Sequence, residues 1–289
     1  MINFRLADTK MRFFHRINLS LYCELWHQIC YLCATPMRHL PNILTLGNLF
    51  FGCVAIAFIL HSQPFLSEVN GESYWVSGTT QAYYGSLFIL AAAICDLFDG
   101  MVARWLGVTS AIGKDLDSLA DVVSFGVAPS MILMKMLWAA WMQKPDAMDI
   151  SMIYVAPAFV LACFSALRLA RFNNAPATTA YFTGVPTPAI GLLVASFPLI
   201  NFYNPLNMGL RMQNPWLLYL IIAVLCWLMV SKMRLFTLKF KGFSLAKNWP
   251  QLAWLALSLI ALPFLKILVV PFSFLLYIIL SFAYKHQEA

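Results

Sequence analysis

Apolar runs of about 20 residues recur along this chain of 289, and that recurrence limits its fold more than any other feature. They fall near 43–61, 82–106, 116–139, 152–171, 185–201, 215–232, 249–266 and 270–284. The pattern predicts an all-α, polytopic helical membrane protein with about eight transmembrane helices; the last two runs also suit a re-entrant pair. Composition closes off the alternatives. With 61% hydrophobic and only 11% charged residues there is too little polar surface to cover a soluble core. The same apolar content excludes disorder and collagen, and 7 Cys in 289 residues exclude a disulfide scaffold.

The chain divides into a basic arm (1–37), a transmembrane core (38–201) and C-terminal helices (202–289). Residues 1–18 carry Arg5, Lys10, Arg12 and Arg16 without a long apolar stretch, unlike a secretory signal peptide. Leu21, Leu25, Ile29 and Leu32 recur at helical spacing opposite Glu24, His27 and Gln28, which predicts an amphipathic helix lying in the membrane interface. The net charge of +7 follows from loop basicity; no nucleic-acid signature accompanies it. With an even number of spans, fifteen of the 19 Lys and Arg residues fall on one side. Both termini are therefore expected in the cytoplasm, and a bacterial inner membrane suits the pattern.

One segment departs from this apolar background: Asp96-Leu-Phe-Asp99-Gly100-Met-Val-Ala103-Arg104, then Gly113-Lys-Asp-Leu-Asp117-Ser-Leu-Ala-Asp121. Asp96 and Asp99 share a helix face at the end of the second span; Asp117 and Asp121 share one at the start of the third. A link over roughly 105–115, carrying Gly107 and Gly113, folds the two into a hairpin that gathers four carboxylates near the cytoplasmic surface. Each Asp in mid-span costs about 2.5–3.5 kcal/mol on the insertion scale, and mutual repulsion adds to that. Divalent cations offset both terms. Oxygen-only ligands point to Mg²⁺ or Mn²⁺, and two such ions about 4 Å apart form the clamp used in phosphoryl displacement. Gly100 and Ala103 leave room beside the Asp pair for a base or pyrophosphate, although small residues also serve close helix packing. Arg104 offers a planar fork to a phosphate oxygen.

Asp96, Asp99, Gly100, Ala103, Arg104, Gly113, Asp117 and Asp121 resemble the signature of the CDP-alcohol phosphotransferase family at every fixed position. At ordinary residue usage such a match arises by chance about once in 10¹⁰ windows. The resemblance implies a membrane enzyme that moves a substituted phosphate from a CDP-linked donor to an alcohol and releases CMP. It further implies metal-ligand roles for Asp96, Asp99, Asp117 and Asp121, with Asp121 also the base. CDP-lipid contacts are implied for Gly100, Ala103, Arg104 and Ser110, and for Asn42 and Thr45 in a Pro-Asn-x-x-Thr pattern. Asp115 matches no fixed position and is expected in solvent. A homodimer is implied by analogy only.

Three further stretches, 117–129, 167–173 and 182–188, resemble the branch of the family that uses CDP-diacylglycerol as donor and L-serine as acceptor, making phosphatidylserine. Arg168 and Arg171, three apart, present two cations at the cytoplasmic end of the fourth span, with Asn173 nearby. A guanidinium fork suits the serine carboxylate, but suits lipid phosphate or simple anchoring too. Glycerol 3-phosphate or inositol phosphate would accept the same pair, so these arginines do not choose the alcohol. A transporter would also keep intramembrane carboxylates, but is expected to show repeats and broken spans near mid-membrane. Cys23, His27, Cys30 and Cys33 suggest zinc; on a helix, however, Cys23 and Cys33 lie about 15 Å apart, too far to share one ion.

Overall fold

The computed structural model describes residues 36–61, 64–69, 72–77, 80–107, 110–143, 150–174, 182–203, 205, 211–212, 214–231, 233–235 and 249–285. The predicted interfacial helix and the cysteine–histidine group lie outside them.

Helices occupy each of the apolar runs. In chain order they are α1 (Pro36–Leu60), α2 (Thr80–Leu106), α3 (Ala111–Asp121), α4 (Ala128–Met142), α5 (Val160–Asn173), α6 (Thr187–Tyr203), α7 (Pro215–Val230), α8 (Trp249–Leu265) and α9 (Val269–Lys285). Five helical stretches are long and apolar enough to cross a membrane: His39–Leu60, Ala82–Leu106, Ile112–Met142, Met152–Asn173 and Trp249–Ala283. The apolar helices α6 and α7 are shorter. The last of the five is not straight. Lys266 takes a left-handed φ of 48°, and α8 and α9 fold back on each other, with Trp254 Nε1 donating to the Ser273 carbonyl at 2.9 Å. Outward-facing Phe264, Leu275, Ile279 and Ile260 on this pair stay exposed and apolar, as hydrocarbon surroundings require.

The fold is not purely helical. Between α1 and α2, strands β1 (Pro64–Val69) and β2 (Glu72–Ser77) pair antiparallel from Pro64↔Ser77 to Val69↔Glu72. The two residues joining them in sequence are Asn70-Gly71, the pair that hairpins favour. Two-residue strands β3 (Phe182–Thr183) and β4 (Arg234–Leu235) make a second small pair.

Where α3 passes into α4 the backbone widens into a six-residue π-helix, Val122–Val127. Pro129 accounts for it. Proline lacks the N–H that would bond to the Phe125 carbonyl, and its ring would crowd that oxygen in a regular helix. Three neighbours close on the widened segment at small residues. Gly52 of α1 meets Ser124, Gly126 meets Ser165 of α5, and Gly191 of α6 meets Phe125. Phe125 is fully buried, with Ile132, Leu133, Leu161 and Ile190 continuing the core. This hub lies one residue beyond Asp121, so its packing fixes where that carboxylate points.

Aromatic side chains gather at the other end of the helices. Trp141 stands 4.8 Å from the Tyr154 ring, Trp216 and Tyr219 join them, and Tyr83 contacts Phe202 and Tyr203. Such belts mark a membrane–water interface. Along α2, Asp96 stands about 20 Å from Tyr83, and Arg104 about 32 Å, so the Asp residues lie just inside the opposite face of a bilayer about 30 Å thick.

Candidate active site

Helices α1, α2, α3, α5 and α6 build the site. Gly107, at φ 65°, ends α2 by reversing the chain in the left-handed region, its N–H donating to the Arg104 carbonyl. Ser110 then caps α3, its hydroxyl accepting from the Gly113 N–H at 2.9 Å. The link is thus shorter than the predicted 105–115, and Gly113 belongs to the first turn of α3. Its missing side chain is required there: a Cβ would stand 2.8 Å from Ser110 Oγ and 3.1 Å from Asn42 Oδ1. Asn42, Ser110 and Gly113 therefore meet at one corner of the hairpin.

The hairpin brings Asp96, Asp99 and Asp117 together, with one oxygen from each within 4.8 Å of the others. Asp121 lies a turn deeper, buried and within electrostatic reach of all three. Nearby α1 aims two of them. Thr45 Oγ1 lies 2.7 Å from Asp99 Oδ2 and 3.0 Å from the Pro41 carbonyl, so its one proton is shared between two acceptors. Asn48 Nδ2 donates to Asp121 Oδ1 at 3.2 Å, and the Asn48 carbonyl accepts from Ser124 Oγ at 3.0 Å. Three hard oxygen donors at this separation, on a partly buried face, suit a divalent cation such as Mg²⁺ or Mn²⁺. Without one, neighbouring carboxylates repel in a weakly polar setting.

Asn48 was not anticipated. Its signal is present in the sequence, because Asn42, Thr45 and Asn48 continue at three-residue spacing on one face of α1. Ser124 and Thr187 were also missed as individual residues, although both lie in stretches that carried the resemblance.

On α2, a Cβ at Gly100 would find nothing within 4 Å, so that glycine is not a packing contact. Ala103 is half-buried, and Arg104 is exposed in the last turn. Asp115 is exposed, as its spacing predicted.

The two arginines of α5 part company. Arg171 is exposed, whereas Arg168 is 9% exposed and feels the charge of Asp121. Arg168 Nη1 donates to Thr187 Oγ1 at 2.9 Å, and its buried Nε has no protein partner. Thr187 is placed by the preceding turn: Gly184, at φ 77°, lies against the Met229 backbone, and the Val185 N–H donates to the Leu228 carbonyl. Asn173 is committed elsewhere. Its Nδ2 donates to Ser118 Oγ at 2.7 Å and its carbonyl accepts from Lys114 Nζ at 3.1 Å, tying α5 to α3.

A helical hairpin presenting converging carboxylates beneath an open glycine is the arrangement of one class of membrane enzyme. The family model for CDP-alcohol phosphatidyltransferases matches residues 38–227, and the chain belongs to that family. The match runs past 201 to include most of α7. Among its relatives is the CDP-diacylglycerol–serine O-phosphatidyltransferase of Bacillus subtilis, 30% identical over 68% of this chain and 90% of that protein. The protein of the same name from Helicobacter pylori J99 is 34% identical over 69% of this chain and 72% of its own length. That from Mycobacterium leprae is 29% identical over 88% and 77%.

Proposed function

We propose that this protein transfers the phosphatidyl group of CDP-diacylglycerol to the hydroxyl of L-serine, producing phosphatidylserine and CMP. One observation carries the reading: a cluster of intramembrane carboxylates beside a buried guanidinium that has a nitrogen to spare. The first suits a metal-dependent diphosphate site; the second suits a small acceptor that brings its own carboxylate. The relatives' shared name supports the same donor and acceptor.

Asp96, Asp99 and Asp117, with Asp121, would hold one or two Mg²⁺ or Mn²⁺ ions. When bound, these supply Lewis acidity that draws charge from the pyrophosphate. Thr45 keeps Asp99 turned toward the cluster. The open side of Gly100, with Ala103, Arg104, Ser110 and Asn42, receives the CDP-lipid. Arg168 holds the serine carboxylate near Asp121, and exposed Arg171 meets lipid phosphate at the membrane surface. Asn173 contributes by clamping α5 to α3. Asn48 occupies Asp121 Oδ1, which leaves Oδ2 to take the serine hydroxyl proton. The freed oxygen attacks the phosphorus bonded to diacylglycerol, the bond to the CMP oxygen breaks, and CMP departs.

With the short helices α6 and α7 and the α8–α9 pair also crossing, the chain makes eight spans. Both termini and the site then face the cytoplasm, as the distribution of Lys and Arg demands. Purified protein given CDP-diacylglycerol, Mg²⁺ and, separately, labelled serine, glycerol 3-phosphate and inositol phosphate tests the reading. Labelled phosphatidylserine with equimolar CMP is expected; turnover with another alcohol and none with serine would reassign the acceptor.

A further inference from the structure

Residues 228–235 lie beyond the family-matched 38–227, yet they fix where α6 begins. Phe182↔Leu235 and Thr183↔Arg234 pair β3 with β4, and the Gly184 N–H donates to the Met233 carbonyl at 3.0 Å. One residue on, the Val185 N–H donates to the Leu228 carbonyl at 3.1 Å. Gly184 could not be replaced without pushing this second segment away, since a Cβ there would fall 2.4 Å from the Met229 carbonyl oxygen. Four successive residues are thus tied to one neighbouring stretch of backbone just before the helix. Thr187, the first residue of α6, is fully buried against this brace, so its hydroxyl has a fixed place.

Among the described residues, that hydroxyl is the hydrogen-bond partner of the Arg168 guanidinium, accepting from Nη1 at 2.9 Å. Nη1 lies on the Cδ side of a guanidinium, so the bond leaves the opposite edge, Nε with Nη2, whole. That edge is the one that takes a carboxylate through two parallel bonds. Nε is buried and has no partner in the protein. The first turn of the 17-residue α6 also carries partial positive charge, so an anion beside Arg168 is favoured by both groups. We propose that Thr187 is a positioning residue: held by the β3–β4 brace, its hydroxyl pins Nη1 and turns the Nε–Nη2 edge toward the acceptor carboxylate. This rests on Arg168 holding that carboxylate. It gives the stretch just past α7 a part in choosing the alcohol, separate from donor binding around Gly100.

The test is steady-state kinetics on full-length protein in mixed micelles, comparing wild type, T187V, T187S, R168K and the T187V/R168K double variant. T187V exchanges the hydroxyl for a methyl group of similar size, whereas T187S keeps the hydroxyl and loses the methyl. The KM for serine should rise roughly five- to tenfold in T187V, the size expected for losing one hydrogen bond to a charged group. In T187S it should stay within about twofold of wild type, as should the KM for CDP-diacylglycerol in both variants. If Thr187 acts through Arg168, the double variant should bind serine no worse than R168K alone. A serine KM raised in R168K but unchanged in T187V would remove Thr187 and leave the function of Arg168 intact. No change in T187V or R168K would remove Arg168 from the acceptor site too. A rise in T187S as large as in T187V, or an equal rise in both KM values with a lower melting temperature, would make Thr187 a packing residue.

Discussion

In the proposed mechanism Asp121 and Asn48 act as a pair: Asn48 engages one carboxylate oxygen at 3.2 Å, and the other is assigned to the serine proton. Asp121→Asn should abolish turnover while leaving much of the CDP-diacylglycerol binding, measured by filtration or spin-down of labelled donor. Full activity in that variant would remove it from the role of base. Asn48→Ala should keep the fold and lower kcat about 10- to 100-fold, the usual cost of losing a partner that orients a ligand. Gly100 separates space from packing: Gly100→Val places its side chain in open space, so the melting temperature should hold while the KM for the CDP-lipid rises. The spacing of Asp96, Asp99, Asp117 and Asp121 was readable from the sequence because helix periodicity converts three- and four-residue intervals into shared faces. Asn48 shares the three-residue spacing of Asn42 and Thr45, but its role shows only once its partner, 73 residues on, is known. The divergence of Arg168 from Arg171 escaped for a related reason: a three-residue spacing puts both near one face, and tertiary packing decides which is covered.

The π-helix at Val122–Val127 sets how α1, α5 and α6 meet beside Asp121. It relieves Pro129, turns Ser124 toward α1, and lets Gly126 and Gly191 bring two further helices against it. Such widenings recur at functional sites because they re-aim the residues beside them. Gly191→Ala would set a Cβ 2.9 Å from the Phe125 backbone, where no side chain can swing aside. A loss of about 1–3 kcal/mol is expected, seen as a lower melting temperature, together with reduced kcat as Asp121 shifts. Nothing in local propensity announces a π-helix, although the Gly126-Val-Ala-Pro129 sequence marks where a regular helix is under stress. The helix positions themselves were legible throughout, since each long apolar run became a helix. The β1–β2 hairpin has no counterpart among the expected elements, because six-residue strands leave little periodic signal beside spans three times as long.

Over the whole molecule, the carboxylates and the aromatic belt stand at opposite ends of the same helices, which gives the protein a chemical face and an anchoring face. Single cysteines introduced into a cysteine-free background report the proposed topology. Positions 110 and 171 should react with a membrane-impermeant maleimide only in inside-out vesicles, and positions 154 and 216 only in right-side-out cells. The reverse pattern would invert the topology. The central physical claim is that four acidic side chains persist inside a bilayer because cations bind them jointly and activate the donor. It is tested most directly by stripping the purified protein with a chelator and titrating Mg²⁺ or Mn²⁺ back while following CMP release. No turnover is expected without the cation, with saturable recovery on its return and at least tenfold more cation needed by Asp117→Asn. Undiminished CMP release from the chelated protein would contradict it.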